Sequence, residues 1–403
     1  MDDAFVVLKA ITRKCIEWNV PMWCMSLDLS KAFDRLELLP LFQALSDQGV
    51  SKHYLQILSS IYVGQSGRLR GSHHFPIQRG VKQGDILSPL FFNAGLEAAI
   101  ARWKRRIAGW GVGIDAGEML TNIRYADDLL VFATSAAQLC SMTEILQEEL
   151  LKVGLQLNPE KSRALTTELS ETPLFMEVSS AFVEVLGANV AHKYLGRKVT
   201  GNLKQRNQVE LDHRIQIAWM RFHKHRDVLL DRNVNIHSRL RFFECVITPT
   251  LLYGLHACAL TSKQMESLDI LQRKMLRRVV GWVRIQDEDW SETMSRMKSR
   301  VESALRVYPV EAWSAQFLRK QFRMVCRLSR RDGEWAMRVS RWSPALMYCN
   351  ARRNSGRPAV RWDDRLNEFV RSHLLIESWQ AACANLDFPV HEDAYVQFHR
   401  EVA

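Results

Sequence analysis

The chain has 403 residues, 47% of them hydrophobic, and its 55 Lys and Arg against 44 acidic residues give a formal charge of +11. That length and apolar content exclude a disordered chain and allow two or three compact units. The basic balance points to a polyanionic partner, nucleic acid above all, although charge alone does not separate such a protein from a merely basic soluble one.

From the N-terminus, Phe5, Leu8, Ile11, Cys15 and Trp18 recur at helical spacing and predict a helix over 4–18. Its acidic start, Met1-Asp2-Asp3, is not that of a signal peptide. Residues 22–29 read as a buried strand that carries Asp28 near its end. Residues 36–63 predict two helices broken at Gly49, and 67–77 a short hairpin. A long helix is expected over 89–107, with Ser88 as its N-cap. Residues 119–134 read strand–turn–strand, the turn falling on Ala126-Asp127-Asp128. A helix over 136–153 stops at Gly154, and short strand pieces follow near 161–167 and 181–197.

Beyond residue 202 long amphipathic helices dominate. Leu268, Leu271, Met275 and Val279 mark one apolar face there, flanked by Arg273, Lys274, Arg277 and Arg278. Boundaries are expected near 200 and, more softly, near 285. Asn354-Ser355-Gly356 is a late loop signal. The longest apolar stretch, 245–260, is broken by Pro249, Gly254 and His256 and is too short for a membrane span. The eight cysteines form no C-x-x-C pair and no zinc-finger spacing, so free buried thiols in a reducing compartment are expected. These features predict a soluble intracellular protein of the cytoplasm or nucleus, with no membrane partner.

Two acidic sites stand out. One is Ser26-Leu27-Asp28-Leu29-Ser30-Lys31-Ala32-Phe33-Asp34; the other, Tyr125-Ala126-Asp127-Asp128, begins its acidic pair 99 residues after Asp28. Carboxylates on neighbouring strand ends can hold two magnesium ions, which favour oxygen ligands completed by substrate phosphates. Such a pair stabilises both the attacking and the leaving oxygen of an in-line phosphoryl transfer. Each site alone has a plainer reading: Asp-Asp suits a surface turn, and Asp28 could cap the following helix. Against this, both sites abut very apolar strands, where an uncompensated carboxylate is costly.

The successive segments SLDLSKAFD, GVKQGDILSPLFFN, YADDLLVFA, GLQLNPEKS and KYLGRKV resemble, in that order, the motifs of reverse transcriptases, in the variant of non-LTR (LINE-type) retrotransposons. The resemblance covers residues 1–285 if a thumb is included. It implies an α+β fold: a right-hand polymerase palm, a ferredoxin-like mixed sheet with helices, over 1–200. A mostly helical thumb over 201–285 and a helical extension over 286–403 would follow. It implies an RNA-directed DNA polymerase that transfers nucleotides from dNTP to a primer 3′-OH on an RNA or DNA template, with two Mg2+ ions. On matching positions, Asp28, Asp127 and Asp128, with the Leu29 carbonyl, would be metal ligands. Lys161 would be the general acid, with a solvated surface lysine as the competing reading. Phe33 would be the steric gate against a ribose 2′-OH, or else a core phenylalanine. Gln83 and Gly84 would line the nucleotide pocket. Tyr194, Leu195 and Gly196 would grip the primer end, unless they form an ordinary strand. Arg273, Lys274, Arg277 and Arg278 would meet phosphates. The later segment GRPAVRWD (356–363) resembles one found downstream in such proteins; Trp362 in it reads equally as core or as a stacking ring.

Only 27 residues precede Asp28, so a basic fingers region is expected to be missing. No endonuclease, Cys/His knuckle or RNase H segment is legible either. The chain is therefore expected to be part of a longer protein, a truncated element or a fragmentary gene, and to polymerise poorly alone. The competing readings are a non-catalytic basic nucleic-acid clamp and an intron-encoded maturase.

Overall fold

Strand-forming runs end near Gly196 and helical periodicity takes over beyond it, and the fold divides there. The computed structural model describes residues 2–68, 74–115, 117–168, 175–178, 180–331, 333–356, 360–384 and 387–401. One unit comprises Val7–Gly196 with Val339–Gly356; the other comprises Asp2–Val6, Arg197–Arg338 and Arg357–Ala403.

In the first unit α1 (Asp2–Glu17) leads into β1 (Trp23–Leu29), α2 (Ala32–Arg35), α3 (Leu38–Asp47) and α4 (Lys52–Tyr62). A small hairpin pairs β2 (Ser66–Arg68) with β3 (His74–Pro76); the turn expected between them lies outside the described residues. Then come α5 (Ser88–Arg106), β4 (Val112–Asp115), β5 (Glu118–Leu120), β6 (Asn122–Tyr125), β7 (Asp128–Ala133) and α6 (Ala136–Leu151). The unit continues with β8 (Leu157–Thr166), β9 (Phe175–Val178), β10 (Ala181–Leu186) and β11 (His192–Tyr194).

Six of these strands form one mixed sheet in the order β6-β7-β1-β8-β10-β9, antiparallel except where β10 runs parallel to β8. β1 is apolar but for Ser26 and Asp28 because it is central and buried, as strands covered on both faces are. Helices α5 and α6 pack on each other and on the sheet; Trp103 is fully buried between them and its indole N–H donates to the Met142 carbonyl at 2.8 Å. The α+β class expected from the sequence is the class observed.

The expected Ser88 cap is not there. Ser88 is already helical and buried, and the residue before the helix, Leu87, caps nothing. Asp85 organises this entry instead, its carboxylate accepting from the Leu87 N–H at 3.1 Å and its carbonyl from the Ser88 N–H at 3.3 Å.

The second unit is helical: α7 (Arg206–Lys224), α8 (Arg226–Leu229), α9 (Ile236–Phe242), a π-helical turn at Phe243–Ile247, α10 (Thr248–Leu252), α11 (Ser262–Val279), α12 (Trp290–Val307), α13 (Trp313–Ser329) and α14 (Trp335–Arg341). Thr261 and Gln264 form a capping box that starts α11. Of the expected apolar face, Leu268, Met275 and Val279 are buried, and Gln272 is buried with them. Its amide is satisfied by the Glu311 carbonyl at 2.9 Å and the Trp313 N–H at 3.1 Å, which fixes where α13 begins.

A buried charge cluster lies in this unit. Glu210 is fully buried and accepts from Arg197 at 3.3 Å, Arg214 at 2.8 Å and the Lys198 N–H at 2.6 Å. The two guanidiniums also lie over rings, Arg197 on Phe5 and Arg214 on Tyr253.

Val339–Gly356 returns to the first unit. Lys14 Nζ donates to the carbonyls of Val339 at 2.8 Å, Ser340 at 2.9 Å and Trp342, closing the C-terminal end of α14. Further on, Asn354 bonds the Glu17 and Ile16 carbonyls at 2.8 and 2.9 Å, and α15 (Pro344–Met347) leads to Tyr348, whose hydroxyl accepts from the Gly113 N–H at 3.0 Å. The chain ends in α16 (Asp364–His373), α17 (Trp379–Ala382) and α18 (Glu392–Glu401). Residues 357–359 of the GRPAVRWD segment lie outside the described residues; Trp362 is buried against Trp379, so it belongs to the core. All eight cysteines are free. No helix among the described residues is long and apolar enough to cross a membrane.

Candidate active site

β1 lies between β7 and β8, and its register on β7 pairs Leu27 with Leu129. One residue further along each way, Asp28 and Asp128 reach the same end of the strand pair. On the far side of β7, Tyr125 pairs with Asp128, so Ala126 and Asp127 form a two-residue turn. Such turns need positive φ, and Ala126 supplies it at 53°, a conformation that costs an L-residue roughly 1 kcal/mol or more. Asp127 is exposed at the tip, whereas Asp128 is the first residue of β7 and half-buried.

Asp28 does not cap the next helix, which starts after Lys31 without a side-chain cap. It sits where the register of β1 on β8 shifts between Ser26 and Asp28. There its N–H donates to the Ser162 hydroxyl at 3.4 Å, and that hydroxyl donates to the Asn158 carbonyl at 2.7 Å. β8 also brings Lys161, whose Nζ lies 3.7 Å from Asp28 Oδ2. Leu29 closes β1 with its side chain in the core, opposite Leu157.

The electrostatics agree with this convergence. The Asp128 carboxyl is pushed above its ordinary value, first by burial and then by the charges of Asp127 and Asp28. Tyr194 feels the same site: burial, then Asp128, raises its hydroxyl. After Tyr194 the backbone turns through left-handed Leu195 and Gly196, at φ 46° and 74°. The structure thus brings Asp28, Asp127, Asp128, Lys161 and Tyr194 together. Among the described residues no three His, Cys or acidic side chains are already closed into a metal cage. What exists is an excess of carboxylate oxygen relieved by one lysine, a donor set that suits magnesium when phosphate oxygens complete it.

Phe33 stacks on the buried Phe92 at 4.9 Å and packs against the core, so its ring is held rather than free to swing. Its carbonyl accepts from the Val81 N–H at 2.7 Å, tying α2 to the segment that carries Gln83 and Gly84. Both of those are exposed, and Gly84 takes φ 97° with open space where a Cβ would be.

The four basic residues of α11 do not act as one strip. Lys274 and Arg278 lie over the Trp219 ring at 5.9 and 4.9 Å, while Arg273 and Arg277 line a cavity of about 740 Å³ between α11 and α12. Burial and the nearby Arg273 lower the Arg277 value.

Sequence reasoning missed one pair. Tyr62 donates to Asp85 at 2.7 Å; that bond holds Asp85 below the usual carboxylate range, while burial and Asp85 push Tyr62 up to about 12. The Asp85-x-Leu87 turn was a legible signal; the tyrosine 23 residues upstream was not.

Residues 10–199 match the family model for reverse transcriptase (RNA-dependent DNA polymerase). Over these residues the chain belongs to the reverse transcriptase family. Its similarities are to the non-LTR retrotransposon members. An uncharacterized transposon-derived protein of Caenorhabditis elegans is 26% identical over 261 residues, 63% of this chain and 86% of that protein. The Pol polyprotein of a type-2 retrotransposable element of Drosophila melanogaster is 34% identical over 141 residues, 34% of this chain but 13% of the polyprotein. A type-1 element polyprotein of Popillia japonica is 27% identical over 271 residues, 63% of this chain and 36% of its own length. The chain therefore spans well under half of these retrotransposon polyproteins. Among solved structures, a Candida tropicalis apo telomerase aligns over 83% of this chain and 56% of its own, at 12% identity and a TM-score of 0.38.

Proposed function

We propose that this reverse transcriptase domain adds deoxynucleotides to a primer on an RNA or DNA template, with residues 1–200 as palm, 201–285 as thumb and 286–403 as an extension. The observation that carries the reading is that Asp28 at the end of β1 and the Asp127-Asp128 tip of the β6–β7 hairpin reach the same end of the sheet, where burial first, and then the charges of Asp127 and Asp28, raise the Asp128 carboxyl. Three carboxylates gathered at one strand end, one of them half-buried, are a cost to the fold unless a cation or substrate uses them.

Asp28, Asp127, Asp128 and the Leu29 carbonyl are the residues that would hold two Mg2+ ions. Bound there, magnesium would stabilise charge on the attacking and leaving oxygens. The primer 3′-hydroxyl gives up its proton to water and its oxygen bonds to the α-phosphorus of the dNTP as the bond to the bridging oxygen breaks and pyrophosphate leaves. Lys161, within reach of Asp28, gives that leaving oxygen a proton. Phe33, braced by Phe92, walls off the space of a 2′-OH, and Gln83 and Gly84 line the nucleotide side. Tyr194, Leu195 and Gly196 hold the primer end. The basic residues of α11 meet backbone phosphates without reading sequence.

Primer extension with dNTP and Mg2+ tests this. Asp127→Ala removes incorporation and leaves primer–template binding. Equal incorporation by D127A and wild type refutes the site. A wild-type chain that binds primer–template but incorporates nothing favours the non-catalytic clamp.

A further inference from the structure

The loop between α11 and α12 holds two tryptophans out in solvent. Trp282 is 39% exposed and Trp290 62%. Their rings stand 5.9 Å apart at a 50° tilt. Large aromatic rings left in water at neighbouring positions form a surface that gains from being covered.

The loop is braced. Arg296 donates to the Val283 carbonyl at 2.7 Å and pairs with Glu288 at 2.6 Å. Arg300 donates to the Val280 carbonyl at 3.0 Å. A capping box between Asp289 and Glu292 fixes the first turn of α12, where Trp290 stands. The rings are therefore presented in one arrangement, which lowers the ordering cost of binding.

The charge around them is cationic. A Cβ placed on Gly281 would lie 3.7 Å from the Arg232 guanidinium and 3.8 Å from that of Arg300, so both flank the residue before Trp282. Arg284 is exposed on the loop itself. Among the described residues no carboxylate forms an ion pair with Arg232, Arg284 or Arg300. The loop's own acids are mostly committed, Glu288 to Arg296 and Asp289 and Glu292 to the cap; Asp287 alone opposes.

We propose that this loop is a stacking platform for single-stranded nucleic acid, outside the residues 10–199 that match the reverse transcriptase family model. Bases stack on Trp282 and Trp290, and phosphates meet Arg232, Arg284 and Arg300. Duplex bases already stack on each other and leave no face for these rings, so the partner is single-stranded. Guanidiniums without carboxylates supply the matching charge, which an apolar peptide would not need.

Fluorescence anisotropy of the full chain with a labelled oligothymidylate of about 12 nucleotides tests this. The double variant W282A/W290A weakens binding about tenfold or more, since stacking on an aromatic ring is worth that much per base. W282F/W290F stays within about threefold of wild type, because a phenyl ring still stacks. On the unaltered protein, an abasic chain of the same length binds more weakly than oligothymidylate, and W282A/W290A no longer distinguishes the two. An alanine variant that binds like wild type overturns the proposal, as does a wild-type protein that holds the abasic chain equally well. D127A keeps full single-strand affinity, so a failure of nucleotide incorporation and a failure of this platform are separate results.

Discussion

Glu149 on α6 is the sharpest handle on what ties α5 to α6 against the six-stranded sheet. Its side chain is 1% exposed and accepts from Arg102 and Arg106 of α5, each at 2.9 Å, and from Lys152 at 2.7 Å. Burial raises its carboxyl, but these three donors together outweigh it and bring the value from 4.5 to about 2. A displacement of that size corresponds to roughly 3 kcal/mol of preference for the charged form. All three cations face solvent, so screening leaves about 1–2 kcal/mol for a substitution to remove. Because the folded value lies below the unfolded one, the contribution is complete above pH 4.5 and is lost as pH falls towards 2. Glu149→Gln keeps the shape and removes the charge. Hydrogen exchange of α5 and α6 peptides at neutral pH reads the local opening free energy directly. The variant should open more easily by about 1–2 kcal/mol at neutral pH, with the gap to wild type closing in acid. A difference under about 0.5 kcal/mol, or one that stays constant with pH, refutes the reasoning.

Glu210→Gln leaves Arg197 and Arg214 buried without their anion and should cost about 3–5 kcal/mol, read by urea unfolding; a loss under about 1 kcal/mol contradicts a truly desolvated cluster. Gly254→Ala is strained twice, by φ 66° and by a Cβ only 2.8 Å from the Arg197 side chain, and should cost more than about 1 kcal/mol in the same assay. Asp128 is raised in the fold, so stability falls as pH climbs past its ordinary 3.8; Asp128→Asn should melt higher than wild type at pH 7, the gap closing in acid, while losing nucleotide incorporation. An unchanged melting temperature would show that neither burial nor the neighbouring charges penalise this carboxylate in the fold. Lys14→Met frees the carbonyls of Val339, Ser340 and Trp342 and should expose 339–356 to limited proteolysis, which the segment held by Lys14 resists.

The acidic residues were legible because each sits against a run that can only be a buried strand. β1 through Leu27, apart from Ser26, and β7 from Leu129 are apolar, and the two pair in the built sheet with Asp28 and Asp128 at the same end. The hairpin was placed one residue off. Pairing of Tyr125 with Asp128 makes Asp128 part of the strand, and only Ala126 and Asp127 turn. The division of α11 also follows from helical geometry: Arg273 and Arg277, four apart, lie within about 40° of each other, as do Lys274 and Arg278, and the two pairs are offset by about 100°, so they flank different neighbours. Other features had no local signal. Glu149, Glu210 and Arg197 look like solvated charges in the sequence, and partners far along the chain make them interior. Asp85 reads as a turn residue until Tyr62 arrives from α4. Lys14 is one basic residue among many until the segment it holds comes back over it.

The hairpin at 125–128 explains why carboxylates in this place argue for binding rather than for folding. A chain under pressure only to close β6 on β7 would carry Asn-Gly or Asp-Gly there, where left-handed backbone is nearly free. It carries Ala126 at φ 53° followed by two aspartates, the second raised by its burial and then by the charges of the first and of Asp28. Two separate costs, backbone strain and a half-buried carboxylate among like charges, thus fall on four residues. The neighbouring ladders are what bear them: β1 pairs with β7 through Trp23 to Leu27, and with β8 on its other side. Strain at one tip, carried by the best-paired strands of the sheet, is the arrangement expected where the structure is shaped for something it holds.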